Sequence, residues 1–295
     1  IPITDCKIQP ACAESVRKAV LSWMEQEKIP AYDEKAHRGM VRHIYLRCGK
    51  VTGEILVCLV ANCDALPKKE SLVQTLRKAV PEIMSIVVNY NTKKSNVILA
   101  ERYETLYGSG TLEDELCGLR FRLSPAAFYQ VNHDQAEKLY EKAIAFAELT
   151  GKETALDLYC GSGTITLCLA KHAKNVIGVE IVEDAVAAAR ENAKLNGLDN
   201  CKFIAGDVLK VLDDLTEKPD VIVLDPPRDG IHPKALPKIL SYGVNRIVYV
   251  SCKATSLARD LEAFLAAGYR LEKACCVDQF CETVWTEAVA LLVKE

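Results

Sequence analysis

Three groups in this sequence could carry out chemistry together, and each sits at the end of a stretch that reads as a β-strand. Cys252 stands where the apolar run RIVYVS (246–251) gives way to the helix-like CKATSLARDL. A thiol at such a junction lies at the edge where open α/β sheets bind ligands, near the amino end of a helix, which predicts a lowered pKa and a larger thiolate fraction. Asp225 closes DVIVLD (220–225) and opens AspProProArg. The two prolines stiffen that loop and donate no backbone hydrogen bonds, which leaves the carboxylate projecting over the sheet edge. Glu287 begins the last apolar run, TEAVALLV (286–293). A thiol can form a covalent intermediate, and a partly buried carboxyl can move a proton near neutral pH. Taken singly, Cys252 is one of 13 cysteines and reads equally well as structural, and Glu287 reads as an exposed hairpin acid.

A second cluster would hold a cofactor. ALDLYCGSGTITLCLAK (155–171) reads strand, glycine loop, helix. Gly161 and Gly163 let the backbone pass close to a ligand, but Thr166 occupies the third position of a dinucleotide fingerprint. Glu180 ends the second strand of this half, where a carboxylate accepts from both hydroxyls of a ribose. Asp207, after the third strand, is placed to meet an adenine amino group. An adenosyl ligand without a pyrophosphate is S-adenosylmethionine rather than NAD.

The elements that must position these groups fall into two sets. Residues 1–125 hold the β-rich runs MVRHIYLRC (40–48), EILVCLV (54–60) and SIVVNYN (85–91), with one helix-like stretch, SLVQTLRKAV (71–80). They predict a smaller α+β domain with an antiparallel sheet. Residues 126–295 begin with Ala136, Leu139, Tyr140, Ala143, Ile144 and Ala147 at helical spacing. Strands at 154–159, 175–180, 201–206, 220–225, 246–251, 269–277 and 286–293 then alternate with helices such as 183–196, which Gly197 caps. That alternation predicts a doubly wound, mostly parallel sheet. The last strand has no helix before it and is expected to enter antiparallel.

Composition excludes several classes. The 295 residues are 49% hydrophobic and 26% charged, ordinary globular values. No apolar run is long enough to span a membrane. With 37 Lys and Arg against 40 Asp and Glu, net charge is −3, so nucleic acid would have to be bound by a local patch and a shaped pocket. The scattered, odd-numbered cysteines read as reduced thiols in a cytoplasmic protein. Because the chain opens on Ile1, a piece of something longer is expected.

FYQVNHDQAEKLY (128–140), LDLYCGSGT (156–164), DPPRDG (225–230), YVSCKATSLARDL (249–261) and VDQFCETVWTEAVALL (277–292) occur in that order. Together they resemble the RNA uracil-5-methyltransferases of the RumA/TrmA group, and most of all its 23S rRNA type. The resemblance implies a Rossmann-like class I methyltransferase fold, α/β with a seven-stranded sheet, preceded by a central RNA-binding region. It implies that Cys252 is the nucleophile and Glu287 the proton acceptor. It also implies that Gln130, Tyr159, Thr164, Glu180 and Asp207, with Gly161 of the glycine loop, bind the cofactor, and that Asp225 serves both cofactor and base. Three departures stand out: Lys253-Ala254 in place of Asn-Pro, Cys281 in place of a proline, and Trp285 in place of a histidine two residues before the acid. Of the four cysteines that hold an iron–sulfur cluster in many members, only Cys6 finds a counterpart. The spacing from Cys6 to Cys12 is read as coincidence, so no cluster or other metal is expected.

The expected activity is methyl transfer from S-adenosylmethionine to C5 of a uridine in RNA, with S-adenosylhomocysteine as product, by a monomer acting on an unstacked base of ribosomal RNA. Arg228 and Lys253 flank the pocket and are RNA contacts on this reading. Arg38, Lys93 and Lys94, with Arg42, Arg47, Arg120 and Arg122, offer further charge in the front domain. Rival readings are a tRNA enzyme of the same chemistry, an amino-group methyltransferase that needs no thiol, and a non-catalytic RNA-binding fragment.

Overall fold

The structure is a computed structural model and describes residues 6 and 8–295. The chain divides into two compact units, one of residues 1–115 and 122–126, the other of residues 116–121 and 127–295.

The first unit contains α1 (Ala13–Gln26), β1 (Val41–Cys48), β2 (Ile55–Ala61), α2 (Lys69–Ala79), β3 (Ile83–Tyr90) and β4 (Arg102–Tyr107). Its sheet order is β1-β2-β3-β4. The expected all-antiparallel sheet is corrected here: β2 and β3 pair in parallel, and the other two pairs are antiparallel. The reason is α2, which fills the connection between β2 and β3. A helical crossover returns the chain to the same sheet end, as a tight hairpin cannot. Helix α1 buries Val16, Ala19, Val20, Trp23 and Met24, an apolar stripe at helical spacing that seals one face of this core.

A short hairpin of β5 (Leu112–Leu116) and β6 (Leu119–Leu123) follows, and its tip groups with the second unit. That unit runs α3 (His133–Ala147), β7 (Thr154–Leu158), α4 (Thr164–Ala170), β8 (Asn175–Glu180), α5 (Glu183–Leu195), β9 (Cys201–Ala205), α6 (Val208–Asp214) and β10 (Val221–Leu224). It ends with α7 (Ala235–Ser241), β11 (Arg246–Ser251), α8 (Ala254–Ala266), β12 (Tyr269–Val277) and β13 (Glu287–Lys294). The sheet order is β12-β13-β11-β10-β7-β8-β9. Strands β7 to β11 pair in parallel, and β13 runs antiparallel between β11 and β12, as the sequence predicts. Every residue of β10 is buried, and all but the first of β7, β11 and β8 are buried or nearly so, because helices cover both faces of a parallel sheet. Gly197 follows α5 at φ +65, the left-handed cap expected of it.

Strand order reverses between β7 and β10. At such a switch point the loops on either side part and leave a crevice at the carboxyl ends of the strands. The glycine loop follows β7 and Asp225 follows β10, so both border that crevice.

Candidate active site

Ser251 and Ala288 are register partners across the antiparallel β11–β13 pair. The next step of that ladder leads to Cys252 on one side and Glu287 on the other. Two residues far apart in the chain thus meet at one sheet edge, the edge that also carries Asp225. Cys252 is half-buried, and Glu287 is 4% exposed.

These groups act on one another electrostatically. Burial raises the Cys252 thiol pKa, the Glu287 and Asp225 carboxylates raise it further, and Arg228 opposes them. This corrects the lowered pKa expected from the helix end: α8 begins two residues on, but desolvation and two carboxylates outweigh it. Burial also lifts Glu287, against the pull of Arg228. Asp225 is pushed up to about 8, first by desolvation, then by the charges of Glu287 and Asp157. Each of the three groups resists ionising, and Arg228 is the cation that opposes this at Cys252 and Glu287. The Arg228 guanidinium carbon lies 4.2 Å from the centroid of the Trp285 ring. Lys253 is the exposed N-cap residue of α8.

The glycine loop is held by the second cluster. Tyr159 turns out of β7 at φ +69, a conformation costly for a side chain other than glycine, and Gly161 and Gly163 follow at +55 and +85. A side chain at Gly163 would lie 2.7 Å from Leu167 and 3.0 Å from Ala189, so close helix–strand packing requires glycine there. At Gly161 a side chain would meet nothing within 4 Å, and that open space fits a ligand beside the loop. Glu180 accepts from the Gly161 amide at 3.0 Å with one oxygen and from the Val182 amide at 2.9 Å with the other. A carboxylate has about four acceptor sites, so two remain for ribose hydroxyls. Asp207 caps α6 with one oxygen, 2.9 Å from the Leu209 amide. Thr164 opens α4, its hydroxyl 3.5 Å from that of buried Tyr140. Gln130 accepts from the Gln279 side-chain amide at 3.3 Å. Gln279 also donates to the Asn132 carbonyl, and Asn132 donates back to the Gln279 carbonyl, which ties the 127–132 segment to the loop before Glu287.

Asp157 is the residue that sequence reasoning missed. It lies fully buried in β7, and its pKa is pushed up to about 7, chiefly by burial. One oxygen accepts from the Thr166 hydroxyl at 2.5 Å, and the other is buried without a partner. The signal was the lone acid inside the apolar strand TALDLY. Thr166, which breaks the dinucleotide fingerprint, is what anchors it.

The front-domain cations divide. Arg42 donates to the carbonyls of Asn91 and Lys93 and stacks on Tyr32; Arg47 donates to the Pro125 carbonyl; Arg122 pairs with Glu113. Arg38, Lys93 and Lys94 are exposed, with Lys93 3.8 Å from Glu101. Cys12 and Cys48 approach to 3.2 Å between sulfurs. Of the AspCysLysIle stretch, Asp5 and Lys7 lie outside the described residues. No helix of the described residues is long and apolar enough to cross a membrane.

Fold and site together define a class, the Rossmann-like methyltransferases with one reversed strand next to the sheet edge. The tRNA (uracil-5-)-methyltransferase family model matches residues 33–295, and the chain belongs to that family. An uncharacterized RNA methyltransferase of Halalkalibacterium halodurans is 42% identical over 295 residues, covering 99% of this chain and 64% of the relative. Another from Listeria innocua is 45% identical over 264 residues, covering 88% and 58%. The chain thus spans less than two thirds of the length of these relatives. Among solved structures, the Pyrococcus abyssi tRNA (uracil-54, C5)-methyltransferase in complex with S-adenosyl-L-homocysteine superposes with a TM-score of 0.86 at 29% identity, over 99% of this chain and 70% of that one. A Pyrococcus horikoshii putative transferase matches with a TM-score of 0.54 at 16% identity, a likeness of fold alone.

Proposed function

We propose that this chain transfers a methyl group from S-adenosylmethionine to C5 of a uridine in RNA, using Cys252 as nucleophile and Glu287 as base. The observation that carries the reading is the meeting of Cys252, Glu287 and Asp225 at one sheet edge, beside a glycine loop that is open at Gly161.

C5 of uracil is a weak nucleophile. Bonding of the Cys252 sulfur to C6 pushes the C5=C6 electron pair into an enolate, which makes C5 nucleophilic. S-adenosylmethionine, when held there, would supply the methyl group to C5, its sulfonium becoming the neutral thioether of S-adenosylhomocysteine. Glu287 takes the C5 proton; the C5=C6 bond reforms and the C6–S bond breaks, releasing the thiolate. A buried carboxyl of raised pKa suits that proton transfer. Arg228 offsets the carboxylates that otherwise disfavour the thiolate. Gln130, Tyr159, Gly161, Thr164, Glu180 and Asp207 would hold the cofactor, with Asp225 between it and the base. Asp157, with its unpartnered buried oxygen, joins that set.

Arg228 and Lys253 at the pocket, and Arg38, Lys93 and Lys94 in the first unit, are the RNA contacts of this reading. Ribosomal RNA is the target favoured by the resemblance of the sequence blocks to the 23S rRNA type. The likeness to a tRNA-modifying structure favours transfer RNA as the second reading. Incubation of S-adenosylmethionine with 5-fluorouridine-substituted rRNA or tRNA separates them: the true substrate leaves a covalent adduct on Cys252 by intact mass. Cofactor binding without an adduct on either RNA would overturn the mechanism. Methyl transfer that survives Cys252→Ala would point to amino-group chemistry instead.

A further inference from the structure

We propose that Asp260 is a positioning residue for this reaction: it locks residues 228–231 onto α8, the helix that follows Cys252, and thereby holds Asp225 and Arg228 in place beside the thiol. The inference rests on the reading of Cys252 as the nucleophile.

Asp260 is 3% exposed and accepts from four donors. One oxygen takes the Ile231 amide at 2.8 Å and the Tyr249 hydroxyl at 2.7 Å. The other takes the Arg259 guanidinium twice, at 3.0 and 2.8 Å. A buried carboxylate is tolerated only with such a complete set of partners. The same helix holds the loop at two more points: the Ser256 hydroxyl donates to the Arg228 carbonyl and Arg259 to the Asp229 carbonyl, each at 2.6 Å. Between them Gly230 turns at φ +77, its amide donating to the Pro227 carbonyl at 2.7 Å. A side chain there would come within 2.5 Å of the Asp260 carboxylate, so the loop lies directly against the acid.

Three sites within residues 228–231, the carbonyls of Arg228 and Asp229 and the amide of Ile231, are thus fastened to one helix, two of them by buried Ser256 and Asp260 and one by exposed Arg259. General packing of a βα loop needs only apolar contact. Here the loop carries Asp225 and Arg228, and the helix begins two residues after Cys252. The polar clasp sets the spacing between the thiol and the groups that face it. A displacement of about 1 Å in such an arrangement costs on the order of 100-fold in rate.

The test is Asp260→Asn in the intact protein. That near-isosteric change puts an amide where one carboxylate oxygen accepted two donors. Alkylation of Cys252 by iodoacetamide, followed against pH by peptide mass spectrometry, reads the thiol's surroundings without RNA; exposed Cys276 serves as internal control. We expect the Cys252 profile to move to higher pH as Arg228 drifts away, with Cys276 unchanged. Single-turnover methyl transfer should fall roughly 100-fold with the RNA KM within about threefold. A folded Asp260→Asn protein with a wild-type alkylation profile and transfer rate overturns the proposal. So does a transfer loss accompanied by equal exposure of Cys252 and Cys276. Should Asp260→Asn fail to fold, Tyr249→Phe and Ser256→Ala, each removing one point of the clasp, decide by the same two readouts. If the wild-type protein methylates no RNA, the uridine reading falls, while the alkylation comparison still decides the role of Asp260.

Discussion

Arg228 and Trp285 stack, guanidinium over indole, at 4.2 Å. They come from different loops, one after β10 and one before β13, and the cation so held is the one whose charge favours ionisation of both Cys252 and Glu287. Trp285 is 45% exposed, so the stacking contributes about 0.5–1 kcal/mol. Trp285→Ala is therefore expected to slow Cys252 alkylation at pH 8 by a few-fold, with Trp285→Phe between it and wild type. Peptide-level rate measurement checks this, and unchanged rates would remove the stacking from the electrostatic account.

The thiol's raised pKa has a direct consequence. Below it Cys252 is mostly protonated, so its alkylation in the ligand-free protein should be slower at neutral pH than that of exposed Cys276 and rise through the alkaline range. Glu287→Gln removes a negative charge facing the sulfur and should move the profile down; Arg228→Gln should move it up. Both shifts are read in one pH series.

Glu287→Gln should also change the product. Without the base, the adduct forms but the C5 proton stays, so thiol elimination stalls. Denaturing gels should show an RNA-linked protein band that wild type lacks, with turnover down by roughly 100-fold or more.

Asp157 and Asp225 tilt stability with pH. Each has a folded-state pKa pushed up, to about 7 and about 8, while an unfolded aspartate ionises at about 4. Between these values the folded form retains a proton that the unfolded form has lost, so stability falls as pH rises from about 4 to about 8. Asp157→Asn should flatten the lower part of that slope. Melting temperatures at pH 5, 6, 7 and 8 for both proteins provide the check.

Phe264, fully buried in α8 between the rings of Tyr249 and Tyr269, anchors the helix behind the site. Phe264→Ala should cost about 3–5 kcal/mol by leaving a cavity. Denaturant titration followed by circular dichroism measures it.

Much of the second unit was legible because a parallel sheet buried on both faces writes itself as apolar runs, and helices as stripes at 3.6-residue spacing. β8, β11 and β12 fall where those runs predicted. The first unit was less so. Periodicity reveals a strand but not its direction, so the parallel pairing of β2 and β3 was lost although α2 had been recognised. The stripe Val16, Ala19, Val20, Trp23, Met24 was present and passed over. At the site, the strand ends put Cys252, Glu287 and Asp225 forward as candidates, and their roles came from the family resemblance. The clasp of Asp260 and the stacking of Trp285 were not, because both join loops that only the folded sheet brings together. The sign of the Cys252 shift was misjudged for the same reason: the helix end is local, and the opposing carboxylates are not.

The reversed direction of β13 decides which of its tips enters the pocket. Laid the other way round in the same slot, this eight-residue strand would send Glu287 to the far rim of the sheet, roughly 25 Å off, and present Lys294 to the sulfur instead. An acceptor of protons would give way to a cation. One inverted strand is thus what brings a carboxyl group from near the end of the polypeptide to the sheet edge that carries the sulfur.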